Sequence, residues 1–97
     1  MQIEKKQDGS KLLLRVVGRL DTNTSPMLDA ELKLDGINEL EFDIGELEYV
    51  SSAGLRVFLG AQKAMNACGG KMTIKNPNAT VKNVFDITGC SGIFTIV

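Results

Sequence analysis

The 97 residues, 43% hydrophobic and 24% charged, make one globular domain, long enough to bury roughly two-thirds of the unfolded surface and unlike a disordered tail. A net charge of −1 with neither sign clustered leaves no basic surface for nucleic acid or anionic lipid. No apolar run approaches the ~18 residues of a membrane span, and the start MQIEKKQDGS lacks the apolar stretch of a secretory signal, so a cytoplasmic protein is expected.

Met1 to Lys6 alternates weakly and is expected as an edge strand. Asp8-Gly9 marks a turn, and Lys11 to Val17 follows at hairpin spacing. Its near-continuous apolar core, LLLRVV, predicts a strand covered on both faces and closed by Gly18. The polar stretch Arg19 to Ser25 leads to Pro26, whose missing N–H costs nothing in a first helical turn, with Thr24 or Ser25 as cap. A short helix is expected from about Pro26 to Leu34, stopping by Asp35-Gly36. Glu39 to Ile44 alternates and places Leu40, Phe42 and Ile44 on one face. Gly45 to Val50 reads as a connection.

The longest predicted helix runs from Ser52 to about Cys68. At about 100° per residue, Gly54, Val57, Phe58, Ala61, Ala64, Met65 and Cys68 share one side, with Arg56 and Lys63 opposite and Leu55 and Leu59 on the flank. Gly69-Gly70 ends it. Lys71 to Lys75 alternates again and Asn76-Pro77-Asn78 is a loop. Thr80 is expected to cap a helix carrying Val81, Val84, Phe85 and Thr88. Ile93 to Val97 reads as a last strand. Cys68 and Cys90 are too few for a disulfide framework and read as reduced, packed thiols. The order β-β-α-β-α-β-α-β implies right-handed crossovers. The expected fold is α/β, one domain over residues 1–97, with a mixed, mostly parallel sheet of about five strands and helices packed on it.

Two adjacent serines, Ser51 and Ser52, stand where the connection gives way to the long helix, followed by Ala53 and Gly54. A hydroxyl there is ordinarily a cap for an unpartnered backbone N–H. A hydroxyl left approachable, beside N–H groups that favour negative charge, is a place for a phosphate. Both readings are open. Asp21 and Asp43 follow strand ends, where α/β sheets place their sites, and read either as neighbours of this turn or as loop caps. Leu55 and Leu59 either pack on the third helix through Val84 or Ile87, or form an apolar docking patch beyond Ser52.

Catalytic signatures are missing. There is no Gly-x-Ser-x-Gly elbow, phosphate-binding loop, dinucleotide fingerprint or metal-ligand spacing. The absence of histidine removes the commonest general base and the commonest metal ligand together. A hydrolase using Ser52 with Asp43 would therefore lack a neighbouring histidine or lysine base.

Gly18-Arg19-Leu20-Asp21, then Asp43, then Tyr49-Val50-Ser51-Ser52-Ala53-Gly54-Leu55-Arg56, then Asn76-Pro77 and Val84-Phe85 with Thr88-Gly89, resemble the STAS domain. This is the fold of bacterial anti-sigma factor antagonists and also occurs in sulfate transporters. The resemblance covers nearly the whole chain, and Ser-Ser-Ala-Gly-Leu-Arg is its most specific part. It implies a non-enzymatic switch. The unphosphorylated domain binds an anti-sigma factor that is also a serine kinase of the histidine-kinase-like ATPase class, and a sigma factor is released. Phosphorylation of a serine at the start of the helix breaks the complex, and a serine phosphatase resets it.

Aligned on Gly54-Leu55, the modified serine is Ser52, with Ser51 as the alternative hydroxyl. The family's usual Asp before that serine is Ser51 here, and the region between the first helix and the third strand is short by several residues. The resemblance also places partner contacts at Asp21, Asn23, Thr24, Ser51, Gly54, Leu55, Arg56 and Leu59. Gly54 would admit a partner backbone, and Asp43 would flank the serine. It implies no catalytic residue, cofactor or metal, no nucleic-acid contact and no membrane insertion. The alternative is a constitutive STAS subunit of a lipid-transport ATPase or stress-signalling assembly, in which Ser52 is only a cap.

Overall fold

β2 (Lys11–Leu20) is the strand on which the sheet is assembled. In the computed structural model, which describes Met1–Val97, β1 (Gln2–Asp8) pairs with it antiparallel, from Gln2↔Val17 to Asp8↔Lys11. β3 (Glu39–Asp43) runs parallel along Lys11 to Arg15, and β4 (Leu47–Val50) along Gly18 to Leu20. β5 (Lys71–Lys75) and β6 (Thr95–Ile96) extend the sheet beyond β3, giving the order β1-β2-β3-β5-β6 with β4 on β2. The sheet therefore has six strands, parallel except for β1. Three helices, α1 (Ser25–Glu31), α2 (Ser52–Ala67) and α3 (Ala79–Ile87), connect it.

β4 is the strand absent from the sequence reading, where Gly45 to Val50 is a connection. Nor does Gly18 close β2. It takes φ 105°, a region that favours glycine, and the register shifts between Gly18 and Arg19. β2 then continues to Leu20, and the chain leaving β3 turns through Ile44 to Glu46 and rejoins β2 as β4. Gly18 N–H donates to Glu46 C=O at 3.1 Å, and Ser51 N–H to Leu20 C=O at 2.8 Å. β4 thus delivers the start of α2 to the end of β2.

β3, β5 and β2 as far as Val16 alternate in burial. Leu12, Leu14, Val16 and Leu20 of β2, with Leu40, Phe42, Met72 and Ile74, are buried beneath the helices. Leu13 and Val17 are only half-buried, so β2 is covered on one face and not on two. The open face is a lattice of opposite charges. Arg15 lies 2.9 Å from both Glu4 and Glu46, and Lys75 lies 2.9 Å from Glu41. Glu4 and Glu46 hold the Arg15 guanidinium above its ordinary value.

Phe58 of α2 is the centre of the core. Its ring meets Phe42, Phe85 and Phe94 edge-on, at 5.0, 6.1 and 6.2 Å between centroids. One side chain thereby joins β3, α2, α3 and the segment before β6. Each such pair adds about 0.5–1.5 kcal/mol to the area it buries.

Several boundaries differ from those expected. α1 stops at Glu31 and buries only Ser25 and Leu28, while Met27 is 50% exposed. Asn78 caps α3, accepting from Val81 N–H at 2.8 Å, so Thr80 is a helical residue and not the cap. A 3-10 turn, Cys90–Gly92, shortens the final strand to Thr95–Ile96. Cys90 is buried, but Cys68 is an exposed residue. No helix is long and apolar enough to cross a membrane.

Candidate switch surface at the start of α2

Ser51 leaves β4 still extended, at φ −90° and ψ 175°. That geometry is what an N-cap requires. Its hydroxyl oxygen accepts from Gly54 N–H at 3.2 Å, and its carbonyl accepts from Leu55 N–H at 2.9 Å. Ser51 is therefore committed to the helix. Ser52, the first helical residue, is exposed, and its hydroxyl makes no hydrogen bond within the chain. Of two adjacent serines, one is cap and the other is free. The free hydroxyl also sits among N–H groups at the positive end of α2, where added negative charge is stabilised.

The neighbouring loop closes on itself around Asp21. One carboxylate oxygen accepts from the N–H groups of Asn23 and Thr24, both at 3.0 Å. The Thr24 hydroxyl accepts from Asp21 N–H at 2.9 Å and lies 2.7 Å from the Arg19 carbonyl. The N–H of Thr24 above all, then its hydroxyl, the N–H of Asn23 and the charge of Arg19, hold the Asp21 carboxyl below its ordinary value. Thr24 is the N-cap residue of α1 by position, but its side chain makes no cap bond; the Asp21 backbone carbonyl accepts from Ser25 N–H at 2.8 Å. Because Ser51 N–H bonds Leu20 C=O, this loop and the Ser51-Ser52 turn are adjacent.

Between α1 and α2 lies an open groove of about 270 Å³. Thr22, Ser25 and Asp29 line one wall, and Ala53, Arg56 and Val57 the other. Arg56 is exposed, as expected. Thr22, Asp29 and Val57 are additions. For Asp29 and Val57 the signal is helical spacing, since Ser25 and Asp29 stand at i, i+4, and Ala53, Arg56 and Val57 at i, i+3, i+4; Thr22, in the loop before α1, carries none. Arg19 and Tyr49 are also absent from the expected set. They pair across β2 and β4, with the guanidinium 4.6 Å from the ring centroid.

Three expected contacts are corrected. Leu55 is 6% exposed and belongs to the core, so it offers almost nothing to a partner. Leu59 is half-buried. Gly54 faces inward and does not admit a partner backbone. A Cβ there would meet Leu20 at 2.8 Å and Val50 at 2.9 Å, so the glycine serves the close packing of α2 on its own sheet. Asp43 does not flank Ser52 either. Asp43 pairs with Arg15 and Val50 with Leu20, five residues apart along β2, or about 16 Å. Its carboxylate accepts from Gly45 N–H at 3.1 Å instead.

The STAS domain family model matches residues 2–97. The chain is 30% identical over 100 residues to the anti-sigma F factor antagonist of Paenibacillus polymyxa, covering 99% of this chain and 86% of that protein. Its fold is similar to that of the anti-sigma factor antagonist SpoIIAA in its unphosphorylated form, with a TM-score of 0.86, 19% identity, and 99% and 88% of the two chains covered. Against the Bacillus cell fate determinant SpoIIAA in its phosphorylated form the TM-score is 0.79, at 18% identity over 99% and 91% of the chains. The chain belongs to the STAS domain family, among relatives that are anti-sigma factor antagonists.

Proposed function

We propose that this chain is an anti-sigma factor antagonist whose binding surface is switched by phosphorylation of Ser52. The observation that carries the reading is the division of labour between the serines. Ser51 satisfies the helix, and Ser52 is exposed with an unengaged hydroxyl. That SpoIIAA, a protein of the same fold, is known in phosphorylated and unphosphorylated forms supports it.

In this reading the unmodified surface binds a cytoplasmic anti-sigma factor, itself a serine kinase of the histidine-kinase-like ATPase class, and frees a sigma factor. The surface comprises the Asp21 to Thr24 loop, Ser52 and Arg56. A phosphate on Ser52 adds about −1.5 to −2 charge. The N-terminus of α2 stabilises that charge, so the domain keeps its fold. A partner must desolvate the dianion beside the Asp21 carboxylate, and binding is lost. A serine phosphatase restores the surface. With no histidine in the chain, Asp43 about 16 Å along the sheet and the Asp21 carboxylate engaged by the N–H groups of its own loop, the reading is one of binding and not of catalysis.

The test is to incubate the protein with the anti-sigma kinase of its own host and ATP, then map phosphate by fragment mass and measure complex formation by calorimetry. Expected is a single phosphate on Ser52, loss of binding on modification, and retained binding without modification in Ser52→Ala. Phosphate on Ser51 would move the switch by one residue. Unmodified Ser52 with undiminished binding would place the chain among constitutive STAS subunits.

A further inference from the structure

On the opposite half of α2 a polar trough of about 400 Å³ opens between that helix and the sheet. Gln62 and Asn66 form its helical wall, the start of β5 its floor, and Thr95 its end. Gln62 is only 9% exposed. Its amide nitrogen donates to Asn66 Oδ1 at 3.0 Å, but its buried Oε1 has no hydrogen-bond partner. A buried acceptor of this kind is costly unless a donor meets it.

The floor offers a second unmet set. Lys71 N–H donates to Asn38 C=O at 2.9 Å, so the odd residues of β5 turn their backbone groups toward β3. The even residues turn to the other edge, where Ile74 C=O accepts from Val97 N–H at 3.0 Å. β6 begins to pair only at Thr73↔Thr95. Before that point the chain is curled into the 3-10 turn, and Ile93 N–H bonds back to Cys90 C=O. The N–H of Met72 and the C=O of Gly70 therefore face the trough with no strand beside them.

We propose that this trough binds an extended peptide segment by strand addition to the open edge of β5. An N–H and a C=O of one guest residue match Gly70 C=O and Met72 N–H, the pattern of a parallel ladder. A further N–H of the guest supplies Gln62 Oε1 with its donor. Gln62 stands ten residues along α2 from Ser52, about 15 Å. A second polypeptide can thus dock without touching the phosphorylation site, and the inference does not depend on the switch being real.

The experiment is an NMR titration of the uniformly 15N-labelled full chain with acetyl-alanyl-alanine-N-methylamide, the probe being a short capped chain with backbone groups and no side-chain chemistry. Expected are saturable shifts confined to Gly70 through Thr73 and the Gln62 side-chain amide, with Ser52 unmoved. Gln62→Met, similar in volume, should weaken the probe about five- to tenfold. Asn66→Ala, at an exposed position, should weaken it less and guards against a Gln62 variant that folds poorly. Non-saturating shifts, or equal affinity in both variants, would overturn the proposal. So would slow hydrogen exchange of Met72 N–H in the free protein, because an already bonded donor leaves no edge to extend.

Discussion

α2 and α3 start alike. Each follows a parallel strand, and each is capped by an extended residue whose side chain accepts from the N–H three residues on. For Ser51 that distance is 3.2 Å to Gly54, and for Asn78 it is 2.8 Å to Val81. They differ in the next residue and in what the cap also holds. Asn78 donates to Leu47 C=O at 3.0 Å, tying α3 to β4, and is followed by Ala79. Ser51 makes only its cap bond through the side chain and is followed by Ser52. Capping accounts for one polar side chain at each helix start. At α3 the residue after the cap is the apolar Ala79 and the first spare hydroxyl is Thr80, one position further on, whereas at α2 the spare hydroxyl directly follows the cap.

The core behind both helix starts can be broken together. Phe58 touches Phe42, Phe85 and Phe94, so Phe58→Ala should cost about 3–5 kcal/mol, measured as a fall in the urea midpoint. Because the ring links α2 to α3, the loss should loosen both helices in one transition. Separate melting of α3 would show that its cap to Leu47, and not the aromatic cluster, holds it in place.

Gly54→Ala should cost about 1–3 kcal/mol. The new Cβ would press on Leu20 and Val50 at 2.8–2.9 Å, and those side chains can yield only partly inside a filled core. The corresponding place in α3 carries Val81, already fully buried. A neutral or stabilising Gly54→Ala would mean that α2 has slack where it meets β4, and the inward role assigned to Gly54 would fall.

The two caps can be compared directly. Asn78→Ala removes the cap and the bond to Leu47, and should cost about 1–2 kcal/mol; Ser51→Ala removes a longer single bond and should cost about 0.5–1 kcal/mol. Equal losses in chemical denaturation would show the extra bond of Asn78 to be idle.

Why some of this was legible in the sequence and some was not follows from local period. Leu40, Phe42 and Ile44 alternate and form a strand with that face buried. β4 escaped because a register shift faces it. Leu47 and Val50 are both buried although three residues apart, so no period of two is visible. The stripe of α2 was placed a little off. Leu55 and Gln62 are buried while Ala64 and Cys68 are exposed, because the buried face is set by strands the helix meets and not by the helix's own composition. The Ser51-Ser52 turn was recognisable as a helix start carrying two hydroxyls. Which hydroxyl is spare depends on the backbone of Ser51, and Asp43 was misplaced because the hidden strand inserts about 16 Å between it and the serine.

A smaller effect belongs to the loop that borders Ser52. The Asp21 carboxyl is held below its ordinary value in the folded chain, chiefly by the N–H of Thr24. Its stabilisation is therefore fully present above the unfolded carboxylate value of about 3.9 and is lost as pH falls through the lower folded value. Asp21→Asn should flatten the acid limb of stability below about pH 4, read from urea midpoints across pH. An unchanged limb would assign acid sensitivity to other carboxylates.

Ser52→Ala should have the least effect on stability, within about 0.5 kcal/mol of the parent, since no hydrogen bond is lost and alanine is the better helix former. This makes it the sharpest cut through the comparison. Ser51→Ala should weaken the helix and leave Ser52 open to phosphorylation, whereas Ser52→Ala should leave the helix intact and abolish phosphorylation. Urea denaturation and phosphate mapping on the two variants read both properties. If Ser52→Ala destabilised the domain by as much as Ser51→Ala, the second hydroxyl would share the capping work, and its freedom, on which the switch depends, would be gone.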